Sequence, residues 1–325
     1  MIAHRCQDPR CLFEAKGAPL DQRAEVVATD TREGEGLWER CAHCALAINR
    51  RGVPPEVVAE FYNGAYQEKN SFEKGARLDA RKHFEIRRES IRPRAEYLKR
   101  FLQPSSVVFE LGGGSGELLH FLKPHARRCI GNELVSEFVE FMERELGLEA
   151  FREDYLDWHA PEPLDLAISV GTLDHIYNPA DYVRKIHRDL KPGGLLYVEV
   201  PNDVQALKTL MPGPHAEAFK RYMYQTAHYY SFTFDTLSAL LREAGFEIAE
   251  SFSRHDYSIL NFLHWYFTGS PQKSIFQAKS GEGIFPGSTG FEKDMNQLLA
   301  TTDARFREII AGHRLGESVC ILARK

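Results

Sequence analysis

An α/β fold with a doubly wound parallel sheet is the fold class this sequence predicts, and three observations predict it. The run Val107-Val108-Phe109-Glu110-Leu111 ends in the glycine-rich turn Gly112-Gly113-Gly114-Ser115-Gly116, and an apolar-periodic segment follows. Short apolar runs then alternate with amphipathic stretches of helical period as far as residue 251. Finally, the acidic and polar residues Glu110, Glu133, Asp154, Asp174-His175 and Pro201-Asn202 all fall just where the predicted strands end, which is the edge where such sheets bind ligands.

The glycine-rich unit sets the ligand class. Glycines at 112, 114 and 116 allow a sharp bend and a close backbone approach. The spacing is G-x-G-x-G, and Glu117 stands where a dinucleotide fingerprint has its third glycine. An acid at that helix start would repel a pyrophosphate, so the pattern disfavours NAD and FAD. The next strand, Arg128 to Asn132, leads into Glu133, 21 residues after Gly112, where a nucleoside site places its acceptor for ribose hydroxyls. A third strand is predicted over 149–154, a fourth over 164–170, a fifth over 195–200, a sixth over 246–251 and a last one over 317–324. About 65 residues separate the last two, including Tyr257, Phe262, Trp265, Tyr266 and Phe267 and a helix over 293–311. An insertion of this size is usually functional, and we read it as an acceptor-side cap or a homodimer surface.

The first 50 residues carry a separate signal. Cys6-x4-Cys11 and Cys41-x2-Cys44 are four of the six cysteines in the 325-residue chain. In a reducing compartment such pairs suggest structural zinc, which folds a segment too small for its own core. Incidental reduced cysteines are the alternative. Cys129 and Cys320 lie inside apolar runs and read as core. The helix expected over 76–101 mixes basic and acidic residues and reads as a solvated face.

Composition excludes several classes. Hydrophobic residues make up 43% and charged ones 27%, as in ordinary globular proteins. The net charge of −5 offers no general pull toward nucleic acid or anionic membrane. No apolar run approaches a membrane span, and the first residues lack a signal-peptide core, so a cytoplasmic protein is the expectation.

Together these segments resemble the class I S-adenosylmethionine-dependent methyltransferases over roughly residues 75–255. Phe109 to Gly116 looks like their first motif, Gly131-Asn132-Glu133 their second and Glu153-Asp154-Tyr155 their third. Val170 to Ile176 and Leu190 to Gly194 look like the segments around strands four and five, and His228 to Thr233 with 237–246 like the helix after strand five. The resemblance implies a Rossmann-like seven-stranded sheet. It also implies S-adenosylmethionine held by Glu110, Gly112, Gly114 and Gly116, by Glu133 at the ribose, and by Asp154 and Tyr155 at the adenine. The cysteine pairs followed by Phe61-Tyr62 and Tyr66 resemble a subgroup of sugar and natural-product methyltransferases with a leading zinc segment, which adds Tyr66 to the cofactor-binding candidates. Deoxysugar C-methyltransferases of that subgroup carry Tyr-His-Glu-His where this chain has Gln225-Thr226-Ala227-His228, so C-methylation is disfavoured while a candidate base is kept.

The expected organisation is a zinc-binding segment and linker over 1–68, a core over 69–254 with a lid at 203–228, a cap over 255–316 and the last core strand over 317–325. For chemistry, His175 and His228 are the candidate bases, histidine being suited to accept a proton near neutrality, and Asp174 is their support. A loop-orienting hydrogen bond is the other reading of His175. Tyr177 and His215 are weaker candidates. The expected reaction is methyl transfer to the oxygen or nitrogen of a small-molecule acceptor such as a sugar, glycan precursor or natural product. The alternative is an RNA methyltransferase gripping nucleic acid through its zinc segment, which would need a basic N-terminal surface.

Overall fold

The computed structural model describes residues 4–5, 14–15, 24–31, 34–42, 44–64, 79–272, 278–279 and 284–325. Its centre is a seven-stranded sheet in the order β12-β13-β10-β9-β6-β7-β8. These strands are β6 (Val107–Leu111), β7 (Arg128–Asn132), β8 (Glu149–Phe151), β9 (Leu164–Val170), β10 (Leu190–Pro201), β12 (Glu247–Arg254) and β13 (Ser318–Arg324). β8, β7, β6, β9 and β10 run parallel, and β13 lies antiparallel between β10 and β12. The sheet therefore has the mixed, mostly parallel, Rossmann-like form expected.

Period-2 alternation divides the core into two layers. Phe109, Leu111, Val198, Val200 and Ile321 face one layer, which Val183 and Ile186 of helix α5 (Pro179–Asp189) and Leu237, Leu240 and Leu241 of α8 (Phe234–Glu243) cover. Val108, Tyr197, Cys320 and Leu322 face the other. It is covered by Ile91, Ala95 and Leu98 of α2 (Ala80–Leu98), Leu118, Leu119 and Leu122 of α3 (Glu117–Leu122) and Met142 of α4 (Ser136–Arg144). Cys129 and Cys320 are both in this second layer, where burial pushes the Cys129 thiol up to about 12 and raises that of Cys320 further. Both are inert packing residues.

Two side chains on the second layer's face break the apolar pattern. Glu110 points under the glycine loop, and Glu199 meets Arg94 of α2. The expected solvated helix is thus buried along one face, through Ala80, Phe84, Ile91 and Arg94.

The N-terminal part forms a four-stranded sheet of order β11-β5-β4-β3: β3 (Ala24–Thr31), β4 (Gly34–Cys41), β5 (Ala47–Asn49) and β11 (Tyr230–Ser231). Its last strand belongs to the core, paired antiparallel as Tyr230↔Ile48 and Ser231↔Ala47. Leu46 and Ile48 are buried in the first core layer, so this segment shares a core with the methyltransferase-like sheet instead of forming a separate module. Two-residue strands β1 (His4–Arg5) and β2 (Glu14–Ala15) pair on either side of the first cysteine pair. Cys6, Cys11 and Tyr66 lie outside the described residues.

The segment expected as a lid holds α6 (Ala206–Leu210) and α7 (Gly213–Met223). It is pinned on two sides. Leu207, Met211 and Phe219 pack on Trp265 of α9 (Ile259–Thr268), and Tyr224 stacks on Trp38 of β4 at 4.7 Å. Buried Asp203 accepts from the Tyr224 hydroxyl at 2.8 Å and pairs with Arg40 at 2.7 Å. Helix α9 and the long α10 (Gly290–Gly312), begun by a Thr289–Glu292 capping box, fill the insertion between β12 and β13. Of its aromatics, Trp265 is buried while Phe267 and, further on, Phe291 are exposed.

Candidate active site

The carboxyl ends of the parallel strands converge on a cleft at the β6/β9 boundary, where the connections switch direction. The glycine turn lines one side. Gly112, Gly114 and Gly116 all have positive φ, at 73°, 55° and 87°. A Cβ at Gly112 would stand 2.2 Å from the Thr172 hydroxyl, and one at Gly116 would stand 2.7 Å from Met142, so both positions require glycine twice over. Gly114 donates its N–H to Glu133 Oε2 at 3.0 Å, and Val135 N–H bonds the other oxygen at 3.0 Å. Glu133 is thereby held at the end of β7 with lone pairs left for further donors.

Two more acids lie beneath the turn. Glu117 is buried at the start of α3, where the helix N-terminus favours a negative charge. It accepts from Ser115 Oγ at 3.0 Å, and His83 Nδ1 is 3.1 Å away. Burial would raise its pKa, but His83 and Arg87 hold it below the ordinary carboxylate value. Glu110 is the opposite case. Burial, reinforced by the Glu117 charge, pushes its carboxyl well above the ordinary value, and its buried Oε2 has no hydrogen-bond partner.

An orphaned acid oxygen beside a glycine cradle, with Glu133 anchored opposite, suits a ligand that brings cationic N–H donors, a ribose and no phosphate. S-adenosylmethionine is such a ligand. When bound it supplies an activated methyl group on a sulfonium sulfur.

Glu110→Gln provides a check. An acid whose folded pKa is raised costs nothing below its unfolded pKa of about 4.3, and costs more as the pH rises above it. The variant is therefore expected to melt higher than wild type at about pH 7 and equally near pH 4 without ligand. It should bind S-adenosylmethionine about tenfold more weakly, having lost a charge-assisted hydrogen bond. Melting curves at both pH values and calorimetry read the two effects.

At the third strand the expectation for Tyr155 needs correction. Asp154 is exposed, and its Oδ1 accepts from Leu156 N–H and the Tyr182 hydroxyl. Tyr155 is 1% exposed, stacks on Phe109 at 4.8 Å and donates its hydroxyl to Asp189. It belongs to the first core layer and has no face to offer an adenine. After Phe151 the chain leaves the strand and turns, and that turn sends Tyr155 inward.

Across the cleft, β9 is followed by Gly171, Thr172 and the 3₁₀ turn Leu173–His175. Asp174 is 0% exposed, and neither of its carboxylate oxygens has a hydrogen-bond partner. Burial raises its pKa against the opposing pull of His175. His175 Nε2 lies 3.6 Å and His228 Nδ1 3.5 Å from Asp174 Oδ2, with the two rings edge to face at 4.3 Å. The structure thus brings all three acceptor-side candidates together from positions 53 residues apart.

The N-terminal segment sets this arrangement. The Tyr62 hydroxyl, on α1 (Val58–Asn63), is 2.6 Å from His175 Nδ1. Asn49, fully buried on β5, donates through Nδ2 to the carbonyls of Gln225, Thr226 and His228. Tyr229 N–H donates to the Asp174 carbonyl at 2.8 Å, and Tyr229 and Tyr230 are buried packing residues. His215 instead sits at the surface, bonded to the Tyr266 carbonyl, and Tyr177 is 40% exposed. Tyr62, Asn49 and His83 were not among the candidates. The one trace of His83 in the sequence is its i,i+4 spacing to Arg87 on α2.

Comparison with known proteins fits this geometry. The family described as "Methyltransferase domain" matches residues 83–251, more than half of the chain. The chain belongs to that family. As a methyltransferase it takes S-adenosylmethionine as its methyl donor. A curated protein from Methanopyrus kandleri, "Probable ribosomal RNA small subunit methyltransferase A", is 32% identical over 72 residues, 21% of this chain, and the match spans only 26% of that protein's length. A solved SAM-dependent methyltransferase from Archaeoglobus fulgidus superposes with a TM-score of 0.47 at 15% identity, covering 73% of this chain and 94% of that one. Another from Mesorhizobium loti gives 0.44 at 14%, covering 73% and 98%. Among the described residues no helix is long and apolar enough to cross a membrane.

Proposed function

We propose that the methyltransferase acts on the oxygen or nitrogen of a small-molecule acceptor, such as a sugar, a glycan precursor or a natural product, activated at the Asp174–His175–His228 centre. The observation that carries this reading is the buried, unpartnered Asp174 carboxylate with an imidazole on each side, facing the glycine turn through Thr172. In the transfer the acceptor lone pair forms the new bond to carbon as the sulfur–carbon bond breaks, its electrons returning to sulfur. The acceptor proton leaves through the centre. The chain's contribution is alignment and proton removal.

The RNA alternative needs free cations on the N-terminal segment. Among the described residues there, Arg40 pairs with Asp203, Arg50 with Glu39 and Arg51 with Glu35. These three paired arginines favour the small-molecule reading. Incubation with methyl-labelled S-adenosylmethionine and separate panels of hydroxylated sugars, amines and bulk RNA tests it. Label should move to a small acceptor, and transfer confined to RNA at low salt would overturn the proposal.

We also propose that Cys6, Cys11, Cys41 and Cys44 hold a structural zinc ion. Cys41 and Cys44 sit on a tight turn in which Ala45 N–H donates to the Cys41 carbonyl and Ala45 has a left-handed φ of 59°. That turn follows β4, whose pairing with β5 leads to the active centre. Cys41→Ser is expected to release about one zinc per chain and lower the melting temperature. Elemental analysis of folded, zinc-free wild type would end this idea.

A further inference from the structure

We infer that Asp174, His175 and His228 are the protein ligands of a divalent first-row transition-metal ion that binds the acceptor. The inference deepens the proposed function and rests on its placing the acceptor at this centre.

Three observations lead to it. First, the spacing suits an ion better than a hydrogen-bonded relay. Asp174 Oδ2 is 3.6 Å from His175 Nε2 and 3.5 Å from His228 Nδ1, and one ligand atom from each residue lies within 4.8 Å of the others. Hydrogen bonds from imidazole to carboxylate are shorter, at about 2.7–3.0 Å. Ligand atoms about 2.0–2.2 Å from a shared ion stand roughly 3.0–3.6 Å apart in tetrahedral or octahedral arrangements. Second, Asp174 is completely buried and both its oxygens lack a hydrogen-bond partner. A charged carboxylate so placed calls for a cation, and the position between the two imidazoles can hold one. Third, Tyr62 touches the far nitrogen of His175 at 2.6 Å. With Nδ1–H donated to the tyrosine oxygen, Nε2 presents its lone pair toward Asp174, as the outer partner of a metal-binding histidine does.

The donor set names the ion class. Two imidazoles and one carboxylate suit zinc, cobalt, iron, nickel or manganese, whereas magnesium and calcium prefer all-oxygen sites. Three protein ligands leave at least one position open. An acceptor hydroxyl bound there would lose its proton to solvent at a lower pH than in water, because the ion stabilises the alkoxide. His175 and His228 would then act on the acceptor through the ion.

Cobalt(II) titration of the full chain tests this, because the visible bands of a nitrogen–oxygen site are distinct from the near-ultraviolet thiolate charge transfer of the cysteine site. Wild type should bind one equivalent more than His228→Ala or Asp174→Asn, with the thiolate bands equal in all three. Removing the ion with a chelator should slow methyl transfer by about tenfold or more, with S-adenosylmethionine affinity unchanged. Equal cobalt stoichiometry in wild type and His228→Ala, with circular dichroism showing both folded, would overturn the inference. So would full transfer activity after chelation, and in either case the small-acceptor function would stand. Cobalt bound at the centre with label moving only to RNA would instead sink the proposed acceptor and keep the metal.

Discussion

Arg94→Ala is expected to cost about 3–5 kcal/mol, the range for removing one partner of a buried ion pair. Arg94 is 7% exposed and reaches from α2 into the second core layer. Its Nε and Nη2 grip Glu199 at 3.0 and 2.5 Å, and Nη2 also reaches Asp256 at 3.0 Å. Without it, Glu199 in the middle of the sheet keeps the Tyr197 hydroxyl at 2.8 Å and Arg254 at 3.5 Å but loses its bidentate partner. Burial alone would raise the Glu199 pKa, and Arg94 and Arg254 outweigh it to hold the group below its ordinary value. A depressed carboxylate contributes stability above its unfolded value and loses it as the pH falls through the folded one. The deficit of the variant should therefore be full at about pH 7 and shrink toward acid. Urea midpoints at neutral and acid pH would show it. Pairing Arg94→Met with Glu199→Leu should recover part of the loss, since the uncompensated acid goes too. A deficit independent of pH would mean that α2 is held by its apolar face alone.

His228→Ala is expected to lower kcat by roughly 10²–10⁴-fold, the usual contribution of a group that manages a proton in the transition state. The fold should survive the change. What holds this segment is backbone: the His228 carbonyl takes Asn49 Nδ2 at 2.9 Å, and Asn49 N–H bonds the Tyr229 carbonyl at 2.8 Å. S-adenosylmethionine affinity should be unchanged, because the glycine turn, Glu110 and Glu133 lie on the other side of the cleft. Single-turnover transfer to the acceptor found with the labelled donor separates chemistry from binding. A raised KM with kcat intact would make His228 a binding residue.

What could be read from the chain in advance follows the range of the interactions involved. β9 and the run into Gly112 stand where the apolar runs and glycines put them, because a doubly buried strand and a positive-φ turn are written in consecutive residues. Tyr155 shows where that stops. Four residues past the edge strand β8, no periodicity says which way a side chain will turn, and the resemblance carried it to the wrong side. Tyr62 and Asn49 show the other limit. They meet His175 and the 225–228 backbone across 113 and up to 179 residues, and an isolated tyrosine or asparagine carries no mark of such a contact. The pairing of β5 with β11 was equally hidden, since a three-residue and a two-residue strand are too short to show a pattern.

The place of β13 has a consequence for how the protein is made. Residues 318–324 form an inner strand, inserted between β10 and β12 with every ladder partner supplied by residues 195–201 and 247–254. On the ribosome, everything from β6 through α10 emerges before that strand does. Until it arrives, β10 and β12 present long unpaired edges, the kind that capture other chains. The nascent protein must therefore wait for residues 318–324 before the sheet can close, and a message cut short at residue 317 would yield an aggregation-prone chain with its glycine turn intact.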